Sequence, residues 1–217
     1  MEKQNNNGKY VETFNPDVYL YNHFKHQDLL LLFDAGDKAL TFNDFVKYEA
    51  ENKQLSGDGV TYVVCNCNYN GGEKIPDDIV AFYTLSTTSI PFEDRIKIDL
   101  DPENTEYESE LCGIPSIELK LFAVDKRYQD KFFAYDGTEM PISAWILSSI
   151  IHQADEMTKE CIGAKAVFLR SVKEAEDFYI KNGFKTIETN MYPLHDIDSE
   201  LKAMYYKLHD FYMNYDE

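Results

Sequence analysis

The chain has 217 residues, 44% of them hydrophobic, with 39 acidic side chains against 21 basic ones and a formal charge of −18. That length suffices to bury one substantial core. Phosphate backbones are held by clusters of Lys and Arg, so an acidic chain is a poor partner for nucleic acid. There is no run of about 18 apolar residues, and Met1–Lys9 is polar and Asn-rich, so a soluble cytoplasmic protein is expected with no membrane span or secretory leader.

Residues 1–17 read as a flexible tail. Val18 to Phe33 is rich in Tyr, Phe and Leu and breaks at Asp34-Ala35-Gly36-Asp37. Leu40, Phe45, Val46, Tyr48 and Ala50 among polar neighbours predict an amphipathic helix, capped by Thr41 or Asn43 and ended by Ser56-Gly57-Asp58-Gly59. Val60–Cys65 and Ile79–Ser86 are β-branched and aromatic runs on either side of an Asn/Gly turn at 68–73, which predicts an antiparallel pair. Residues 91–113 carry Asp99, Asp101, Glu103, Glu106, Glu108 and Glu110 and read as an acidic insertion or lid.

Ile117–Val124 alternates and then becomes continuously apolar, the pattern of a central strand. An unusual connection follows from Asp125 to Met140, with a turn at Asp136-Gly137-Thr138. A long helix is expected from about Pro141 to Cys161, then a strand over Lys165–Arg170, a short helix stopped by Asn182-Gly183, and a last strand over Phe184–Thr189. Leu201, Met204, Tyr205, Leu208, Phe211, Tyr212 and Tyr215 mark one side of an expected terminal helix, packed on its own domain or forming a homodimer contact. The expected organisation is tail 1–17, one α/β domain over 18–190 and a helical extension over 191–217.

Four cysteines without a secretory context predict reduced thiols. Cys65 and Cys67 share one face of a strand and read as core residues, because no second Cys or His pair stands at zinc spacing; no metal is expected. The five histidines have no Ser or Cys partner that spacing identifies, which leaves a hydrolase triad without support.

Ala175-Glu176-Asp177-Phe178-Tyr179-Ile180-Lys181-Asn182-Gly183-Phe184 has the A-x-x-F-Y-x-x-x-G-F spacing that closes the catalytic domain of the Gcn5-related N-acetyltransferases (GNAT). Leu121–Gln129 resembles the same family's L-x-V-D-x-x-Y-Q-G-x-G. Phe33–Asp37 and Phe82–Ser86 resemble its branch of bacterial acetyltransferase toxins. The resemblance covers about Tyr19 to Thr189. It implies a mixed, mostly antiparallel sheet flanked by helices, here with an extra C-terminal helix, and transfer of an acetyl group from acetyl-CoA, the co-substrate, to an amine of a small molecule or protein.

The resemblance assigns the general acid to Tyr179 and a candidate base to Glu118, and it places the coenzyme against Phe122, Ala123, Val124, Gln129, Thr138 and Ser143. In the family's R/Q-x-x-G-x-G/A loop, glycines let amides approach the pyrophosphate. Laid on Arg127, those glycine positions fall on Asp130 and Phe132. Two readings follow. Either the helix start around Thr138–Ser143 still offers its amides to the pyrophosphate, or the site has lost the coenzyme and the chain is a binding or assembly module.

Overall fold

The computed structural model describes residues 9–36, 39–101, 104–187, 191 and 200–209. The chain divides into two compact units, Met1–Ser86 with Leu119–Ile150, and Thr87–Glu118 with Ile151–Glu217. The elements in chain order are β1 (Pro16–Leu20), α1 (His23–Leu30), α2 (Leu40–Asp44), a π-helical turn (Phe45–Glu49), α3 (Ala50–Leu55), β2 (Val60–Asn70), β3 (Glu73–Asp101) and β4 (Asn104–Val124). They continue as β5 (Phe132–Tyr135), β6 (Thr138–Pro141), α4 (Ile142–Glu160), β7 (Ala166–Ser171), a 3₁₀ turn (Lys173–Ala175), α5 (Glu176–Lys181), β8 (Lys185–Thr186) and β9 (Lys202–Lys207). Seven strands form one sheet in the order β1-β2-β3-β4-β7-β9-β8, with β4 at its centre as expected, and β5-β6 form a separate hairpin.

In the first unit, β1 pairs antiparallel with β2 from Pro16↔Asn66 to Leu20↔Tyr62, and β2 with β3 from Val60↔Leu85 to Asn70↔Glu73. The predicted antiparallel pair is present and longer than the apolar runs alone indicate. The face of this sheet that meets α1 to α3 is aromatic. Phe82, fully buried, lies 5.6 Å from Phe33, 6.1 Å from Phe45 and 6.4 Å from Phe42 between ring centroids. Cys65 and Cys67 are both buried in the same cluster, as their shared face predicts. Burial pushes the Cys65 thiol up to about 12, so it stays protonated and packs as a small hydrophobe.

The N-terminal segment is more ordered than a tail reaching residue 17. Val11 N–H donates to the Phe132 carbonyl at 2.8 Å, and Phe132 N–H donates to the Lys9 carbonyl at 2.7 Å, so the segment runs parallel to β5. Pro16 then opens β1.

In the second unit, Ile90, Phe92, Ile114, Ala166, Phe168, Met191, Ala203 and Tyr205 form the core. Two expectations are corrected here. The acidic stretch 91–113 is no lid: its described residues are the outer lengths of β3 and β4. The sequence Arg95-Ile96-Lys97-Ile98-Asp99-Leu100 alternates charge with apolar side chain, the period of a strand, and the density of carboxylates masks that signal.

Likewise the terminal helix is replaced, over Lys202–Lys207, by strand β9, which pairs antiparallel with β7 on one side and β8 on the other. Ala203, Met204 and Tyr205 are consecutive and all buried, which a strand flanked on both edges permits and an amphipathic surface helix does not. Of the side chains expected on the domain or at a dimer contact, Met204 and Tyr205 are buried within the chain, and Leu201 and Leu208 are half-buried. Phe211, Tyr212 and Tyr215 lie outside the described residues.

Where β2 begins, Gly59 is a close approach: a Cβ built there would stand 2.9 Å from Thr84 Cγ2 and 3.1 Å from the Leu85 carbonyl oxygen. Gly59→Ala is expected to cost about 1–3 kcal/mol, because backbone as well as side chain must give way. In urea unfolding the midpoint falls while the slope holds; an unchanged midpoint means the strand entry is not pinned there.

Candidate functional site

The end of β4 is fixed by one buried carboxylate. Asp125 is fully buried, and four donors converge on its two oxygens: Arg127 N–H and Nε on Oδ1, both at 2.8 Å, and Asp34 N–H and Arg127 Nη2 on Oδ2, both at 2.9 Å. Its own N–H donates to the Val80 carbonyl at 2.8 Å, and its carbonyl accepts from Tyr128 and Gln129 N–H at 2.8 and 3.1 Å. A buried charge is tolerable when every lone pair is used, and here it is.

The turn that follows is bound on its outer side as well. Arg127 Nη2 and Tyr128 Oη each donate at 2.8 Å to the two oxygens of Asp78 on β3. Hydrogen bonding to Asp125, with Asp78 adding to it, pushes the Arg127 guanidinium further up from an already high value. Desolvation first, and the bond to Asp78 second, raises the Tyr128 hydroxyl. Asp34 reaches across with its backbone, receiving Lys126 N–H on its carbonyl, while Lys126 Nζ pairs with its carboxylate. The remaining oxygen of Asp34 accepts from Gly36 N–H at 2.8 Å and Asn43 Nδ2 at 3.1 Å. Asn43 Oδ1 in turn accepts from Ala35 N–H at 2.8 Å. Asn43, read from sequence as a candidate cap, thus orders the preceding loop instead.

Of the six residues expected against the coenzyme, four meet here. Phe122, Ala123 and Val124 form the last positions of β4, and Gln129 Nε2 donates to the Val124 carbonyl at 2.8 Å and to the Ala35 carbonyl at 3.1 Å. The Gln129 amide is therefore occupied within the chain. Asp130 has φ 56°, a left-handed conformation at a position where the resemblance puts glycine, so the bend survives the substitution.

The expected Asp136-Gly137 turn is also present: φ values of 49° and 75° make it the two-residue loop between β5 and β6. Phe133 anchors that hairpin, buried with its ring 4.7 Å from Phe14 and 6.1 Å from Trp145 of α4. Thr138 opens β6 and is exposed; Ser143 is the second residue of α4. The first amide of α4 is taken, since Ile142 N–H donates to the Lys131 carbonyl at 2.9 Å.

The two catalytic candidates belong to the second unit. Tyr179 sits on α5, whose C-terminus closes as the Asn-Gly signal predicts: Gly183 N–H donates to the Ile180 carbonyl and Phe184 N–H to the Tyr179 carbonyl, both at 3.0 Å. Gly183 takes φ 90°, as this helix stop requires. The stop folds Phe184 back, so that the Tyr179 ring lies edge-on between Phe178 at 5.2 Å and Phe184 at 5.5 Å. Desolvation among these groups pushes the Tyr179 hydroxyl up to about 12, so it holds its proton throughout the neutral range. Glu118 lies on β4 with 15% of its side chain exposed and accepts from Arg170 Nη1 at 3.3 Å, while the Arg170 guanidinium covers the Phe168 ring. Among the described residues, no group of three or more His, Cys, Asp or Glu side chains is placed to hold a metal ion. No described helix is long and apolar enough to cross a membrane.

Sequence reading missed Asp34, Asp78 and Asp125 as a linked set. Asp125 carried a signal as the acid of the L-x-V-D pattern and Asp34 as part of the Phe33–Asp37 stretch, but Asp78 carried none and nothing joined the three.

Two outcomes test this network. Asp125→Asn would turn an NH2 group toward N–H donors and leave the Arg127 guanidinium with Asp78 as its remaining carboxylate, which costs about 3 kcal/mol by chemical denaturation. Asp34 is held at about 2, first by its bond to Lys126 and then by Gly36 and Asn43. Its folded value lies below the unfolded value of about 3.9, so its contribution is complete above pH ~4 and disappears as pH falls toward ~2. The gap in melting temperature between wild type and Asp34→Asn should shrink across that window; a constant gap means the ion pair contributes nothing.

No family model matches the chain. In overall structure it is similar to the toxin AtaT in a tyrosine-to-phenylalanine mutant, at TM-score 0.56 and 17% identity over 96% of this chain and 94% of that one. It is similar to a mutant of KacT at 0.57 and 18% over 89% and 95%. A GNAT-family acetyltransferase from Staphylococcus aureus Mu50 matches at 0.50 and 17% over 89% and 99%. With the element order, the central β4 and the helix stop after Tyr179, these likenesses establish that the chain has the fold of the Gcn5-related N-acetyltransferases.

Proposed function

We propose that the protein is an N-acetyltransferase that moves an acetyl group from acetyl-CoA to a primary amine of a small molecule or protein. The observation that carries the reading is Tyr179. Its ring is clamped between Phe178 and Phe184 by a helix stop, at the position the family uses for its acid, and its hydroxyl is kept protonated by desolvation. AtaTR has been solved with acetyl-CoA and AtaT with acetyl-methionyl-tRNAfMet, which supports the donor for this fold. With its charge of −18, this chain is a poor match for tRNA, so the acceptor is placed among small molecules or proteins.

The amine nitrogen attacks the thioester carbonyl carbon; the C–N bond forms, the carbonyl oxygen gains charge, and the C–S bond then breaks. Main-chain amides near Ala123 and Val124 are assigned to the oxyanion. Tyr179 donates toward the departing sulfur. A hydroxyl at about 12 is a weaker acid than a thiol, whose ordinary value is about 8.5, so Tyr179 stabilises the thiolate by a hydrogen bond and does not surrender its proton fully. Glu118, beside Arg170, is assigned the proton leaving the amine, through water.

For the coenzyme, the cations of the turn are already engaged: Lys126 with Asp34, and Arg127 with Asp78 and Asp125. The amides just after Asp130 and that of Ile142 are engaged within the chain, so the pyrophosphate is assigned to the amides of the first turn of α4 beyond Ile142, with Thr138 and Ser143 adding hydroxyls, and the pantetheine arm to the edge of Phe122–Val124. Gln129 supports that site by fixing the Val124 carbonyl. The second reading, a non-catalytic module that has lost the coenzyme, is favoured by the same observation, since it removes a side-chain donor from the ligand.

Calorimetry with acetyl-CoA separates the two readings: binding supports the transferase, and absence of heat at about millimolar ligand leaves only the module. Tyr179→Phe should lower turnover by about 100-fold while coenzyme affinity stays within about threefold, because the hydroxyl acts mainly in the transition state. An unaltered rate takes Tyr179 out of the mechanism.

A further inference from the structure

The first unit holds an open groove of about 360 Å³ lined by Phe45, Lys53, Asp58, Thr84, Lys120 and Leu121. That volume is at the small-molecule end of ligand sites. Its upper wall departs from regular helix. Ala50 N–H reaches back five residues to the Phe45 carbonyl, making Phe45–Glu49 a π turn between α2 and α3, and such turns concentrate at functional sites. Phe45, the first residue of that turn, stacks on Phe82 at 6.1 Å and 20° and lines the groove.

The same lining carries two lysines, Lys53 and Lys120. The close approach of Gly59 to Thr84 and Leu85 lays the Asp58 loop beside Lys120, whose Nζ donates to the Asp58 carbonyl at 3.0 Å. Lys53 Nζ meets Asp58 Oδ2 at 3.2 Å, with both side chains about half exposed. Lys53 thus pairs with the Asp58 carboxylate and Lys120 with its backbone carbonyl, so the groove lining carries two ammonium groups against one carboxylate, in a chain whose total charge is −18. Leu121 stands two residues before Ala123, which at about 3.3 Å per residue puts the end of β4 about 7 Å further along the strand.

We infer that this groove is the acceptor subsite, and that the acceptor is a small primary amine carrying an oxyanion, carboxylate or phosphate, across an apolar spacer of about 7 Å. The oxyanion sits between Lys53 and Lys120, the spacer lies on Phe45 and Leu121, and the amine points toward Ala123 and Val124. The reaction that follows rests on the acetyltransferase reading; the binding does not.

The test is calorimetry without acetyl-CoA, using 4-(aminomethyl)benzoate, 4-(aminomethyl)phenylphosphonate and, lacking the oxyanion, benzylamine. At least one oxyanion probe should bind about tenfold or more tighter than benzylamine, and Lys120→Met and Lys53→Met should each weaken it about tenfold, equivalent to about 1.4 kcal/mol, with melting temperatures unchanged. The stronger of the two oxyanion probes identifies carboxylate or phosphate as the source. Binding by neither at about 10 mM, equal binding of benzylamine, or indifference to both lysine variants overturns the inference. If the oxyanion probe binds but acetyl-CoA gives no heat and no thiol is released, the groove stands and the transferase reading falls. If thiol release proceeds equally well with benzylamine, the transferase stands and the groove assignment falls.

Discussion

The carboxylate of Asp125 is the constraint on which the first unit depends. It is buried without exposure, and its four accepted hydrogen bonds come from two segments, its own turn and the loop at Asp34, ninety-one residues away in sequence. A charge in that position is unfavourable unless all its partners arrive together, so the end of β4, the turn to Gln129 and the approach to α2 are ordered as a unit or not at all. Asp78 and Asp34 extend the same logic outward by holding Arg127, Tyr128 and Lys126 on the outer side. The three aspartates absorb the cations of the turn.

This arrangement holds a left-handed bend at Asp130, where the sequence resemblance puts glycine. Glycine is used at phosphate turns because it adopts left-handed backbone at no steric cost and lets amides approach an anion. Here Asp130 adopts that conformation at φ 56°, and Asp136 does so at 49° in the hairpin. Aspartate is among the few L-residues that tolerate it, at some cost. The strain is offset from outside, by the Asp125 bonds before the turn and by Phe133 packed on Phe14 and Trp145 after it. Backbone specified elsewhere by small residues is specified here by side-chain partners.

What was legible in the sequence follows from the range of the interactions involved. The stop at Asn182-Gly183, the turn at Asp136-Gly137 and the strands on either side of 68–73 are local, and each was readable from a few neighbouring residues. The Asp125 network joins residues around 34, 78 and 125, and nothing local marks Asp34 or Asp78 as its partners. Two stretches misled in opposite ways. Carboxylate density in 91–113 concealed a period of two, and a helical spacing read across 201–215 overrode, at 203–205, the plainer sign that Ala203, Met204 and Tyr205 are apolar in succession. A run buried on both faces belongs to an interior strand, and β9 is one, between β7 and β8.

The charge of the chain constrains both ligands of the proposed reaction differently. Around the turn, Lys126 and Arg127 are engaged by Asp34, Asp78 and Asp125, so a diphosphate there relies chiefly on oriented amides, whose dipoles carry no net charge. In the groove the balance reverses, because Lys53 and Lys120 face a single Asp58. An oxyanion on the acceptor would therefore find its favourable field away from the coenzyme turn, which keeps two anionic molecules apart while leaving the amine between them. In a chain this acidic, a small recess whose lining sets two ammonium groups against one carboxylate discriminates by contrast with a net field that disfavours anions.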